Sequence, residues 1–200
     1  MPSPIAHSAV GYILTHLPFY KKDRAAQRFL PLSSNSHSTT HLPSAFMVLY
    51  SVVVANLPDL DFLPQVITGD RFHRGPTHSL LAASIVSVVL AWLVHRYWSR
   101  ARYRSLLGFT FILYVSHLLL DYFTAGGPGM QLLWPLSDRY FQAPFPLFPG
   151  VHHSRGFWDS SHLIFITAET LFSLCLFIGL RLLQNRKESQ RPLNTRKSLR

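Results

Sequence analysis

Histidine and aspartate recur at the ends of apolar stretches in this chain: His7, the pair Asp59 and Asp61, His78, and the pair His117 and Asp121, with His73 close by. Imidazole and carboxylate together suit zinc, manganese or iron better than calcium, which prefers oxygen alone. Carboxylates gathered near low dielectric repel one another and lose hydration, and a divalent cation reverses that balance. Six or seven such ligands could hold two ions, each with a position left for water, or one ion with outer carboxylates behind it. His117 and Asp121 stand four apart, which places them on one face of a helix.

Each residue also has a plainer role. Asp59 and Asp61 flank the turn at Pro58, where Asp is a common cap. His78 could open a helix, and His117 could be a hydrogen-bonded core histidine. Taken as a set, and with Asp121 inside an apolar helix end where ionisable groups mark function, the ligand reading is preferred. Asp59 or Asp61 is also the candidate general base, and His73 either ligates or orients a ligand. Arg74 either clamps a phosphate-like anion, as a third catalytic candidate, or pairs with an aspartate. Glu169 lies seven residues after His162 on the same helical face. His16, His37, His41 and His95 fall beside the basic segments, away from the cluster, and His152, His153 and Asp159 are secondary candidates.

The elements that must position these groups are apolar. Mean hydropathy is +0.16, with 48% hydrophobic and only 14% charged residues, high for a soluble domain. Residues 79–98 and 162–183 are long enough to cross a hydrocarbon core of about 30 Å; 106–123 is nearly so, and 9–20 and 45–57 are shorter. The net charge of +10 would suit nucleic acid, but its distribution argues against that partner. Basic residues cluster beside the apolar runs: Lys21, Lys22, Arg24 and Arg28; Arg96, Arg100, Arg102 and Arg104; and the tail from Arg181 to Arg200. Only Arg71, Arg74, Arg139 and Arg155 lie elsewhere. By the positive-inside rule, five crossings put the C-terminus inside, the N-terminus outside, and the His/Asp cluster on the non-cytoplasmic face. The basic residues follow the first apolar stretch, which is not the order of a cleavable signal peptide. Cys175 is the single cysteine, so neither a disulfide nor a cysteine zinc site forms within one chain.

The expected architecture is all-α: a multi-pass transmembrane bundle of about five helices over residues 1–183, with a basic, flexible tail at 184–200. Helices are predicted over 7–20, 44–57 (stopped by Pro58), from His78, and from about Leu106 to Asp121, followed by the breaker Thr124-Ala-Gly-Gly-Pro-Gly129. A polar loop over 31–43 and a loop over 59–77 join them. The stretch to Ser161 is rich in Pro and aromatics, including Trp134, Tyr140, Phe141, Phe145, Phe148, Phe157 and Trp158, and is read as an interfacial belt or a lid. Helices three and four, joined by a short turn, form an antiparallel hairpin that brings His78 beside His117 and Asp121.

His7-Ser8, Asn56-Leu-Pro-Asp-Leu-Asp61, His73-Arg-Gly-Pro-Thr-His-Ser79, Ser116-His-Leu-Leu-Leu-Asp121 and Leu132-Leu-Trp-Pro-Leu136 together resemble the YdjM family of bacterial inner-membrane proteins, described as metal-dependent hydrolases. The resemblance implies a multi-pass helical protein of the bacterial inner membrane, and carries metal ligation onto His7, Asp59, Asp61, His73, His78, His117 and Asp121. It supplies no substrate. The residues and the resemblance lead to a metal-dependent hydrolase of an ester or phosphoester, with membrane lipids around it and a lipid or lipid-linked substrate suggested by the aromatic loop. A transporter would place its ion site near the midplane on repeated halves, and a metal-tied scaffold would leave no open coordination position.

Overall fold

The computed structural model describes residues 4–17, 44–68, 73–98, 102–150 and 159–197. The basic cluster from Lys21 to Arg28, the polar loop over 31–43, Arg71, Arg100, His152, His153, Arg155, Phe157 and Trp158 lie outside the described residues. The described architecture is helical, with two isolated bridges in place of any strand. Its helices are α1 (Pro4–His16), α2 (Ser44–Asn56), the short α3 (Phe62–Thr68), α4 (Leu80–Tyr97), α5 (Tyr103–Tyr122) and α6 (Ser160–Lys197), with 3₁₀ turns at Leu57–Asp61 and Pro76–His78. Four segments are long and apolar enough to cross a membrane: Ala45–Gln65, Leu80–Tyr97, Tyr103–Tyr122 and Ser160–Arg186.

Pro58 does not open the long loop expected after it. Proline at the start of a helical turn gives up an N–H that would be unpaired anyway, and the chain continues through the 3₁₀ turn into α3. The helical backbone of α6 likewise runs on past Leu183 to Lys197, through the stretch expected to be a surface tail.

Packing follows from small and polar residues at the contacts, as in helices that share an apolar solvent. α1 and α2 run antiparallel: Asn56 Nδ2 donates to Ser8 Oγ at 3.1 Å, and Thr15 Oγ1 donates to Ser51 Oγ at 2.8 Å. Gly11 sits where a side chain would collide with the Ser51 carbonyl. Hydroxyls inside the bundle bond back to the carbonyl four residues earlier, as at Ser51, Ser87 and Thr110, which satisfies these polar groups within the apolar layer. α4 and α5 form the expected antiparallel hairpin. One core of Met47, Tyr50, Val54, Ala91, Val94, Leu106 and Leu113 fills the end with the α4–α5 turn. A second, of Ala83, Tyr114, Leu118 and Met130, lies towards the other end.

At that second end the segment after α5 folds back over the bundle. Ala125 N donates to Phe148 O, Leu147 N to Phe123 O and Ala143 N to Tyr122 O, at 2.9, 2.7 and 2.9 Å. Leu80 N donates to Leu132 O and Gln131 N to Arg74 O, both at 3.0 Å. The Pro- and aromatic-rich stretch is therefore structured through residue 150 and fastened to the end of α5 and to the start of α4 with the turn before it.

The Gly11 contact gives a direct test of the α1–α2 packing. A Cβ there would lie 2.8 Å from Ser51 O and 3.1 Å from Ala55 Cβ. Gly11→Val is expected to cost about 1–3 kcal/mol, read as a lower unfolding midpoint in detergent. Gly108→Ala, whose methyl meets nothing within 4 Å, is expected to leave the midpoint unchanged or to raise it by up to about 1 kcal/mol equivalent.

Candidate metal centre

Four pieces of chain deliver the cluster to one end of the bundle. α1 brings His7 from its first turns, and the 3₁₀ turn after α2 brings Asp59 and Asp61. The turn before α4 brings His73, Arg74 and His78, and α5 brings His117 and Asp121. Ser79 caps α4 by accepting from Ala82 N at 3.1 Å, which fixes where that helix starts and hence where His78 sits. His7, Asp61, Arg74, His78, His117 and Asp121 are buried.

Four donor atoms converge. His78 Nε2 is 3.2 Å from His117 Nε2, 3.4 Å from Asp121 Oδ2 and 3.6 Å from Asp59 Oδ1; His117 Nε2 is 3.5 Å from that same Asp59 oxygen. Most of these separations are long for hydrogen bonds. They match the edge of a tetrahedron of ligands at about 2.0–2.2 Å from a zinc-sized ion, which is about 3.3–3.6 Å. His7 Nε2 approaches Asp121 Oδ1 at 3.6 Å, and its ring stacks on His117 with centroids 3.8 Å apart. Two overlapping groups could hold an ion: Asp59, His73, His78 and Asp121, and His7, Asp59 and His117, with Asp59 in both.

The tautomers suit ligation. His117 Nδ1 donates to the Ala55 carbonyl at 2.8 Å and His73 Nδ1 donates to Asp61 Oδ1 at 2.8 Å, which leaves each Nε2 with its lone pair. His7 Nδ1 and Nε2, Asp59 Oδ1, His73 Nε2 and Asp121 Oδ1 are buried without a hydrogen-bond partner. Burying such atoms unpaired costs about 1–3 kcal/mol each, so their gathering in one place fits a cation as the missing partner.

Asp61 stands behind this cluster. It accepts from His73 Nδ1 at 2.8 Å, from Thr77 Oγ1 at 2.6 Å and from Arg74 N at 3.1 Å, and its Oδ2 lies 3.1 Å from His78 Nδ1. Arg74, read from sequence as an anion clamp or an aspartate partner, takes the second role. Its Nε donates to Asp121 Oδ2 at 2.9 Å and its Nη1 to Gly126 O at 3.2 Å. The Arg74 backbone has φ of 64°, a left-handed conformation uncommon for a residue with a side chain; bonds from its N–H to Asp61 and from Gln131 N–H to its carbonyl hold it there.

Outside the membrane-spanning segments, burial acts against charge on both remaining imidazoles. At His7 burial and the neighbouring His117 prevail over the pull of Asp121, and its pKa falls to about 4. At His78 burial is outweighed by hydrogen bonding to Asp121, Asp59 and Asp61, and its pKa is pushed up to about 10. A cation and a proton therefore compete for His78.

Of the other histidines, His16 donates from Nδ1 to Tyr12 O and His95 lies against Tyr103, both away from the cluster, while His37 and His41 lie outside the described residues. Asp159 takes a turn role at the start of α6, accepting from Ser161 N at 2.9 Å. Glu169 is fully buried on α6. The sequence motif around His73 includes Thr77 without indicating its role, and Tyr114 carries no motif: Tyr114 Oη donates to Thr77 O at 2.7 Å and so pins the turn whose hydroxyl holds Asp61. Tyr114 precedes His117 by one helical turn, and that spacing was the available signal.

The Arg74–Asp121 pair is nearly inaccessible on both sides. Removing one partner leaves a buried charge uncompensated, at a cost of about 3–5 kcal/mol. Arg74→Met is expected to lower the unfolding midpoint accordingly, and Arg74→Met with Asp121→Asn to lose substantially less than the two single variants summed; additive losses would show that the pair is not coupled.

The family model described as YdjM inner membrane protein matches residues 3–190. The inner membrane protein YbcI of Escherichia coli (strain K12) is 39% identical over 103 residues, which cover 50% of this chain and 59% of that protein. The match thus spans somewhat more than half of the relative's length. No solved structure matches the chain.

Proposed function

Because the chain belongs to the YdjM family of inner membrane proteins and gathers buried imidazole and carboxylate donors at one end of its bundle, we propose that it is a membrane-embedded metal-dependent hydrolase of esters or phosphoesters. The observation that carries this reading is the set of separations of 3.2–3.6 Å among His78, His117, Asp59 and Asp121, together with the unpartnered donor atoms that face it.

Asp59, His73, His78 and Asp121 would hold one ion and His7, Asp59 and His117 a second, with Asp59 in both sets; zinc, manganese and iron all suit these donors. The ion would supply Lewis-acid polarisation of the substrate and of the attacking water. The protein's own groups do the positioning. Asp61 fixes the orientation of His73 and His78, and Arg74 holds Asp121 in place. Asp61 already meets four donors, whereas Asp59 Oδ1 has no hydrogen-bond partner and is the oxygen that would meet the ion. The Asp59 side chain is also 16% exposed where that of Asp121 is closed off, so water reaches the centre on the Asp59 side.

The non-cytoplasmic placement of the centre is supported by charge. Arg96, Arg102 and Arg104 lie at the α4–α5 turn, at the end of the hairpin opposite His78 and Asp121, and basic loops stay on the cytoplasmic side.

Protein purified in mild detergent is expected to carry about one or two equivalents of zinc, manganese or iron. Asp59→Ala and His117→Ala should lose the metal, while Asp61→Asn should bind it about 10–100-fold more weakly. Ester or phosphoester turnover should vanish on chelation and return on reloading, without any ion gradient. A wild-type protein that stays folded, carries no metal and cannot be loaded would rule the reading out.

A further inference from the structure

Exposure around the centre is lopsided. The side chains of His7, His78, His117 and Asp121 are sealed, and the opening lies at Asp59 and His73, whose side chains are 16% and 11% exposed. What borders that opening is apolar. Phe62 meets His73 edge-on, ring centroids 6.2 Å apart, and is itself partly exposed. Leu60, Leu63 and Ile67 follow at one-turn spacings on a single face, all exposed, with Ile67 at 84%. Residues 62–68 read Phe-Leu-Pro-Gln-Val-Ile-Thr, without a charge. Leu60 and Leu63 belong to the segment Ala45–Gln65, which is long and apolar enough to cross a membrane, and Ile67 extends its apolar face.

The depth of the centre agrees. Phe148, bonded through its N–H to Phe123 just after Asp121, packs edge-on against Phe172 with centroids 5.0 Å apart. Phe172 lies twelve residues into α6, about 18 Å along the helix from Ser160 at 1.5 Å per residue. The apolar span of α6 begins at Ser160, so α6 rises well past the level of the centre. The returning segment packed against that rise exposes Phe145 and Leu147, at 81% and 70%, as a segment set among acyl chains would.

Resting on the hydrolase reading, we infer that the centre is served from within the bilayer. Its substrate is a membrane amphiphile whose apolar chain lies along Leu60, Leu63 and Ile67 while its ester- or phosphoester-bearing head passes Phe62 to reach Asp59 and His73. A water-soluble substrate would have to cross this apolar border, whereas an amphiphile arrives with its chain already in the hydrocarbon, each methylene contributing about 0.8 kcal/mol to its partition out of water.

Two measurements test this without requiring turnover. In a Cys175→Ser background, nitroxide labels at Leu63→Cys and Ile67→Cys, in vesicles of phosphatidylethanolamine and phosphatidylglycerol, should be relaxed by oxygen and shielded from a water-soluble nickel chelate. Access of the chelate equal to that at a loop position such as Asp138→Cys would overturn the placement. In cobalt-loaded protein, the visible spectrum should respond to hexadecylphosphonate at a concentration at least about tenfold lower than to methylphosphonate, and Leu63→Asp with Ile67→Asp should bring that ratio towards one. Equal response to both phosphonates in the wild type would overturn the inference while leaving the hydrolase reading intact. A preference for the long chain in a protein that hydrolyses no ester or phosphoester would uphold the inference and remove the hydrolase reading.

Discussion

Three carboxylates share one nearly closed space at the end of this bundle, and everything around them is arranged to make that tolerable. Asp59, Asp61 and Asp121 would repel one another strongly at low dielectric, so each is matched differently. Asp121 has the Arg74 guanidinium, Asp61 has four donors drawn from one short turn, and Asp59 has only imidazoles near it and the opening beside it. Asp61 is fully bonded, Asp121 keeps one oxygen without a partner, and Asp59 adds an opening beside its own unpartnered oxygen. That gradient is what the proposed metal centre would need, whereas in a structural ion-pair network every member would be satisfied.

The same constraint explains the shape of the chain between α2 and α4. Arg74 must offer its backbone N–H to Asp61 and its side chain to Asp121 at once, and a left-handed backbone conformation lets one residue do both. The segment after α5 then supplies the Gly126 carbonyl to the guanidinium and Gln131 N–H to the Arg74 carbonyl. The returning stretch thus serves less as a lid than as a wall that completes the hydrogen bonding of the centre, which accounts for its order through residue 150 despite its length.

Much of this was legible in the sequence because it depends on local spacing. The four-residue interval between His117 and Asp121 and the short turn between α4 and α5 were enough to bring His78 against them, and the burial of apolar runs needed only composition. The separate roles of Asp59 and Asp61 were not legible. In Asp-Leu-Asp the two acids look alike, and only the 3₁₀ path after Pro58 turns one towards His117 and the other towards Thr77 and Arg74. Proline signals a stop when read alone; here the chain behind it had partners for its turn, and tertiary contacts prevailed over the local signal. Arg74 was ambiguous for a related reason. Its partner lies 47 residues away, and no spacing rule reaches that far.

A hydrolytic centre of the kind proposed, set below the level of the membrane surface, would have to admit water and a head group yet exclude the rest of the aqueous phase. The protein resolves this by making the interior of the centre polar and its border apolar within a few residues. Asp59 and Leu60 are adjacent, and the latter faces outward while the former faces the imidazoles. Alternation of this kind is ordinary on a strand but unusual on helical turns, where neighbours stand about 100° apart; the tighter 3₁₀ turn, at three residues per turn, separates them by about 120°. The 3₁₀ geometry between α2 and α3 is therefore the local feature that joins a metal-suited interior to a lipid-suited exterior, and replacing it with continuous α-helix would rotate one of the two out of place.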